Sequence, residues 1–106
     1  MVKIKRIIWS DFASDNLKEI ITYYKEVAGE NISRKLTAKI FRSTKQLIRY
    51  PLSGQVELSL EHLDEGHRYL VVGNYKLVYR IIDNDILITD LFDSRQDPEK
   101  INDNKR

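Results

Sequence analysis

The stretch GHRYLVVGNYKLVYRI, Gly66 to Ile81, sets His67, Arg68, Tyr69, Lys76 and Arg80 among strand-forming aliphatic residues and tyrosines. Such cations could neutralise phosphate or carboxylate groups, and a histidine beside a tyrosine could move a proton at a ribose 2′-hydroxyl. Spacing decides which of them act together. Gly73-Asn74 between two strand-like runs is a two-residue turn signal, which sets Val72 opposite Tyr75, Leu70 opposite Leu77 and Arg68 opposite Tyr79 on one side of a hairpin. The other side then carries His67, Tyr69 and Val71 against Lys76, Val78 and Arg80. No acidic residue lies in these two strands. A cationic sheet face with an interleaved tyrosine suits an RNA backbone or an acidic peptide. The plainer reading is a solvated face of an antiparallel sheet, with long cationic stems lying over valines.

A second turn at Asp83-Asn84, or one residue later, leads into a third strand. Unbroken alternation puts Ile86, Ile88, Asp90 and Phe92 on the side of Leu77 and Tyr79. Arg68 and Asp90 then both face the core, where an unpaired charge is costly, so they are expected to form a structural ion pair across the intervening strand. The functional reading of Arg68 is a guanidinium projecting at the sheet edge toward a phosphate or a partner carboxylate.

Two helices and a strand must position this meander. Val2 to Trp9 predicts a strand, with Ser10 placed as a helix N-cap and Asp11 in the first turn. Ala13, Leu17, Ile20, Tyr24 and Val27 then form an apolar stripe on a first helix that Gly29 ends. A second helix is expected from Asn31 to Tyr50, with Leu36, Ile40, Ser43 and Leu47 on one face and Pro51 closing it. PLSGQ reads as a loop. The predicted fold is α+β: an N-terminal strand, then an antiparallel two-helix hairpin packed on one face of a C-terminal antiparallel β-meander. No repeat or linker divides the chain, so residues 1–106 are expected to form one domain.

Charge is distributed in blocks, although the formal net charge is only +2. From Asn31 to Tyr50 there is no acid, while Lys35, Lys39, Arg42 and Arg49 line one helix face; on residue types alone this is a solvated surface. The acids gather at Glu57 to Glu65 and after Asp83. Cysteine is absent and no apolar run approaches the ~20 residues that cross a bilayer, so disulfides and membrane spans are not expected and a cytoplasmic location is. His62 and His67 without cysteine make no metal set, and neither a glycine-rich phosphate loop nor a nucleophile elbow occurs, so no cofactor or metal is expected.

Three stretches together carry a family resemblance. They are IIWSDFASDNLKEIITYYKE, STKQLIRYPLSGQ and HRYLVVGNYKLVYRIIDNDILITDLFDSRQDPEKI, and the last is the most specific through Arg68, Gly73, Tyr75, Tyr79 and the RQDP of Arg95 to Pro98. Over nearly its whole length the chain resembles RelE/ParE-superfamily toxins of bacterial type II toxin–antitoxin modules, formerly described as plasmid-stabilisation proteins. The resemblance implies a cognate antitoxin as partner. It also implies one of two targets: messenger RNA on the ribosome, cleaved by RelE-like members, or DNA gyrase, poisoned by ParE-like ones. A RelE-like endoribonuclease would use His67, Tyr69, Lys76, Arg80 and Arg95 to orient the 2′-hydroxyl and stabilise a pentacoordinate phosphate. Lys76 and Arg95 match two of that group's basic positions. His67 and Tyr69, however, stand where RelE has paired lysines, and Ile101 lies near the place of its terminal tyrosine or histidine. The RQDP ending resembles ParE-like members more closely, which implies a gyrase inhibitor with no catalytic centre. Lys35, Lys39, Arg42, Tyr69, Lys76, Arg80 and Arg95 are then the expected contacts to antitoxin or target. A third alternative is a degenerate, non-toxic member that retains only antitoxin binding.

Overall fold

Ser10 begins the first helix as its type and position predict, its Oγ accepting a hydrogen bond from the Ala13 N–H at 3.0 Å. In the computed structural model, which describes residues 3–95, strand β1 (Arg6–Trp9) leads into helix α1 (Asp11–Ala28). Gly29, with φ 91°, ends α1 and caps α2 (Glu30–Arg49), so a single residue in the left-handed region turns one helix back on the other. Ser33 fits the contact between the helices, its hydroxyl donating to the Ile21 carbonyl at 3.2 Å.

Ala13 is buried, and Leu17, Ile20 and Tyr24 pack on the core as the stripe requires. Val27 does not join them; it is 60% exposed in the last turn of the helix. On α2 the buried positions are Ser33, Ile40, Thr44 and Leu47, with Leu36 and Ser43 half-buried, so the inward face is broader than predicted.

The sheet has five strands in the order β1-β5-β4-β3-β2. The central three, β3 (Arg68–Val72), β4 (Tyr75–Ile82) and β5 (Asp85–Asp93), form the expected meander. Its first turn has the predicted register, with Val72 opposite Tyr75, Leu70 opposite Leu77 and Arg68 opposite Tyr79. β1 adds to β5 in parallel at one edge, and β2 (Gln55–Val56), within what reads as loop, adds to β3 at the other. Among the described residues no helix is long and apolar enough to cross a membrane.

One irregularity changes the sidedness of β5. Val78 pairs with Asp90 and Tyr79 with Ile88, so Thr89 is an extra residue on β5 and the ladder shifts there. Up to Ile88 the alternation is as predicted; beyond the bulge it inverts. Leu91 rather than Phe92 enters the helix-side core, while Asp90 and Phe92 share the opposite face with Val78 and Lys76. The start of α1 holds this kink. The Ser10 N–H donates to the Ile88 carbonyl at 3.0 Å, the Ser10 hydroxyl to the Thr89 carbonyl at 3.3 Å, and the Asn16 side-chain oxygen accepts the Leu91 N–H at 3.1 Å. Backbone groups displaced by the extra residue thus find partners.

The bulge also overturns the expected Arg68–Asp90 ion pair, because it puts the two residues on opposite faces. Arg68 donates instead to the Gly54 carbonyl at 2.8 Å, and the Asp90 carboxylate accepts from the Thr89 hydroxyl at 2.7 Å. Arg68 works with Tyr79 to fasten the loop after α2. The buried Tyr79 hydroxyl donates to the Pro51 carbonyl at 2.7 Å and accepts the Gly54 N–H at 3.0 Å. Burial raises the pKa of that phenol, which keeps its proton available for Pro51. A Cβ on Gly54 would lie 2.7 Å from the Tyr79 ring, so only glycine fits there.

Candidate functional site

The face of the sheet turned away from the helices is where sequence spacing gathers His67, Tyr69, Lys76 and Arg80. The register brings these four to one side, as expected. That side is not open. Residues 57–65 leave β2, run through a short 3-10 turn (Leu58–Leu63) and cross it, burying Leu60 against Val78 beside Tyr69 and Phe92. His67 is buried beneath this crossing.

The crossing segment brings acids onto the cations. Lys76 Nζ lies 3.4 Å from Glu57 Oε2, with the two side chains 27% and 5% exposed, and 4.1 Å from the centre of the Tyr69 ring. Arg80 forms an ion pair with Glu65. Glu57 is further held by the Ser59 hydroxyl at 2.8 Å, and Tyr69 donates to Gln55 Oε1 at 3.0 Å. The expectation of a free cationic reverse face is therefore corrected: it is cationic in its own strands, but carboxylates from the preceding segment cover and neutralise it. The signal was present in the sequence, since the acidic block at Glu57 to Glu65 immediately precedes the basic hairpin.

Arg95 does not join the other four. Asp93 pairs with Tyr75, on the helix side, and the Asp93 carboxylate accepts from the Arg95 guanidinium through Nε at 2.9 Å and also through Nη2. These hydrogen bonds pull the Asp93 pKa down to about 2. Tyr75 stands next to this pair with its ring edge-on to Tyr24, centroids 6.3 Å apart. Burial, reinforced by a hydrogen bond with Tyr24, pushes its phenol pKa well up, so it stays protonated. The remainder of the RQDP motif and Ile101 lie outside the described residues.

On α2 the situation is reversed. Lys35, Lys39 and Arg42 stand on the exposed face, and none has an ion-pair partner among the described residues; the neighbouring Arg34 is held by Glu30 at 3.1 Å. Phe41 and Ile48 are exposed on the same helix, and the Phe41 ring lies 5.9 Å from that of Trp9. Sequence reasoning named the cations but not these apolar neighbours, which resemble core residues by type alone. Among the described residues no group of three histidine or acidic side chains could hold a metal ion.

Comparison with known proteins agrees with this architecture. A chain described as the chromosomal ParDE toxin–antitoxin system from P. aeruginosa superposes with a TM-score of 0.71 at 17% identity, covering 88% of this chain and 98% of that one. That similarity is one of fold. No curated protein matches the sequence. The family described as "ParE toxin of type II toxin-antitoxin system, parDE" matches residues 7–98, nearly the whole chain. The protein thus belongs to the ParE toxin family of type II toxin–antitoxin systems.

Proposed function

We propose that this protein is a toxin that inhibits DNA gyrase by binding rather than by chemistry, and that a cognate antitoxin neutralises it. Membership of the ParE toxin family supports the first part, and the ParDE pairing named for the structural relative supports the second. The observation that carries the choice between targets is the pairing of the cations a nuclease would need. Lys76 and Arg80 are engaged by Glu57 and Glu65, and Arg95 is held by Asp93 on the other side of the sheet. A pentacoordinate phosphate requires positive groups that converge on it and are not already neutralised. The five-residue set of a RelE-like centre does not meet that requirement here.

Binding falls instead to α2. An exposed cationic stripe on a helix that also exposes Phe41 and Ile48 suits an acidic, amphipathic segment that orders on docking, which is the chemistry expected of the antitoxin. Lys35, Lys39 and Arg42 are its contacts. The test is a supercoiling assay with purified gyrase run beside primer extension on translated message. Blocked supercoiling with intact message is expected. Normal supercoiling at excess toxin would overturn the reading, and message cuts abolished by Arg95→Ala would replace it with the endoribonuclease. Unaffected growth on expression alone, with antitoxin still bound, would leave the degenerate member.

A further inference from the structure

We propose that the outward face of the helix pair is self-complementary, and that the protein associates through it with a second copy of itself, α1 of each copy lying along α2 of the other. The surface includes the α2 stripe assigned above to the antitoxin, but the association requires neither antitoxin nor gyrase.

Three observations carry it. First, α1 bears an acidic ladder that its own chain leaves unused. Asp11, Asp15 and Glu19 are exposed on the side away from the core positions Leu17, Ile20 and Tyr24, and none forms an ion pair among the described residues. At steps of four, like charges share one helix face and oppose the helix that carries them. The dipole of the first turn offsets this for Asp11 but not for Asp15 or Glu19. Lys35, Lys39 and Arg42 form the matching basic ladder on α2. An acidic segment docked on α2 would leave the α1 acids unmatched, whereas a second copy of this chain supplies both signs at the required spacing.

Second, the ladders stand at matching heights. The Ser33 hydroxyl on the Ile21 carbonyl sets the two antiparallel helices level at those residues. Six residues back from Ile21 and six on from Ser33, Asp15 lies level with Lys39; two each way, Glu19 lies level with Lys35; ten each way, Asp11 lies level with Ser43, beside Arg42. A two-fold axis parallel to the helices, above the seam between them, keeps height and exchanges α1 for α2. It sets Asp15 of one copy against Lys39 of the other, Glu19 against Lys35 and Asp11 beside Arg42, each contact occurring twice. A two-fold across the helices would set acid on acid and base on base. Third, the residues nearest that axis are apolar. Phe41 leans to the α1 side of α2, its ring 5.9 Å from that of Trp9 just before α1, so it meets its own counterpart. Ile48, also exposed and two turns on, shares that side. An apolar centre rimmed by paired charges is the anatomy of a protein–protein interface. Where the antitoxin docks as proposed above, the two occupants compete for Lys35, Lys39 and Arg42, and antitoxin binding divides the pair.

The experiment is sedimentation equilibrium of the full chain without antitoxin. A reversible monomer–dimer equilibrium is expected at about 50 mM salt, with a dissociation constant on the order of 100 µM that rises about fivefold or more at about 500 mM. Asp15→Lys with Glu19→Lys makes both ladders basic, and Lys35→Glu with Lys39→Glu makes both acidic, so each double variant alone should stay monomeric. Mixed in equal amounts, the two should form a heterodimer within about threefold of the parent affinity, because opposite signs face each other again at both contacts. A mixture that stays monomeric overturns the proposal, as does a parent that stays monomeric at about 1 mM in low salt. Should a variant fail to fold, NMR dilution of the parent decides by itself: shifts confined to residues 11–19 and 35–48 are expected, and shifts centred on the sheet overturn the proposal. Failure here leaves gyrase inhibition and antitoxin affinity untouched, since neither partner is present.

Discussion

The two cationic regions of this protein differ in what their charges already touch. On α2, Lys35, Lys39 and Arg42 face solvent with no carboxylate in reach among the described residues; on the sheet, Lys76 and Arg80 are half-buried and each meets a glutamate of the same chain. The first set is available to a partner, while the second is committed to holding a loop down. A count of basic residues, which treats the two alike, therefore says little about where an acidic partner binds.

The largest effect expected separates them by affinity. Reversing Lys35, Lys39 and Arg42 to glutamate should weaken the cognate antitoxin on the order of a hundredfold, about 2.7 kcal/mol, in titration calorimetry, with the melting temperature of the toxin unchanged. An equal loss from changes at Lys76 and Arg80 would break the distinction. The next effect runs the other way. Lys76→Ala leaves the Glu57 carboxylate, 5% exposed, without its cation and should cost about 2 kcal/mol in urea unfolding. That is less than a fully buried pair costs, because Lys76 itself keeps partial contact with water. Lys39→Ala, by contrast, should change stability by less than about 0.5 kcal/mol. Arg80→Ala should lie between them, under about 1 kcal/mol, since its Glu65 partner is 39% exposed.

The smallest effect concerns Arg95. Its hydrogen bonds lower the Asp93 pKa in the folded state from 3.8 to about 2. A depressed carboxylate contributes stability that is complete above the ordinary value and is lost as pH falls through the folded one, so the contribution fades between about pH 4 and pH 2. In an NMR titration Arg95→Ala should return the Asp93 carboxyl to about 3.8. An unchanged midpoint would show that the pair does not persist in solution.

Much of this was legible in the sequence where local chemistry leaves one answer. The Gly73-Asn74 turn fixes the pairing of β3 with β4 because a two-residue loop admits one register, and Ser10, Gly29 and Pro51 mark helix ends through their own backbone preferences. The bulge at Thr89 was not, because DILITDLFD carries aliphatic residues on both parities and either Leu91 or Phe92 could fill the core. Its position is decided by Ser10 and Asn16, more than seventy residues away in the chain. β2 and the 3-10 turn escaped for a related reason. Two residues have no periodicity to read, and Leu60 is ordered by Val78 rather than by its neighbours in sequence. The candidate site inherits both gaps: its cations can be read from the sequence, but their pairing and the separation of Arg95 depend on these long-range contacts.

The kink in β5 also bears on how such toxins diversify. Removing one residue there would carry every later side chain of the strand to the reverse surface, taking Asp93 and Arg95 round toward Lys76 while no side chain changed its chemistry. A single codon gained or lost at that point would thus decide which surface of the sheet receives the end of the strand and its charge pair.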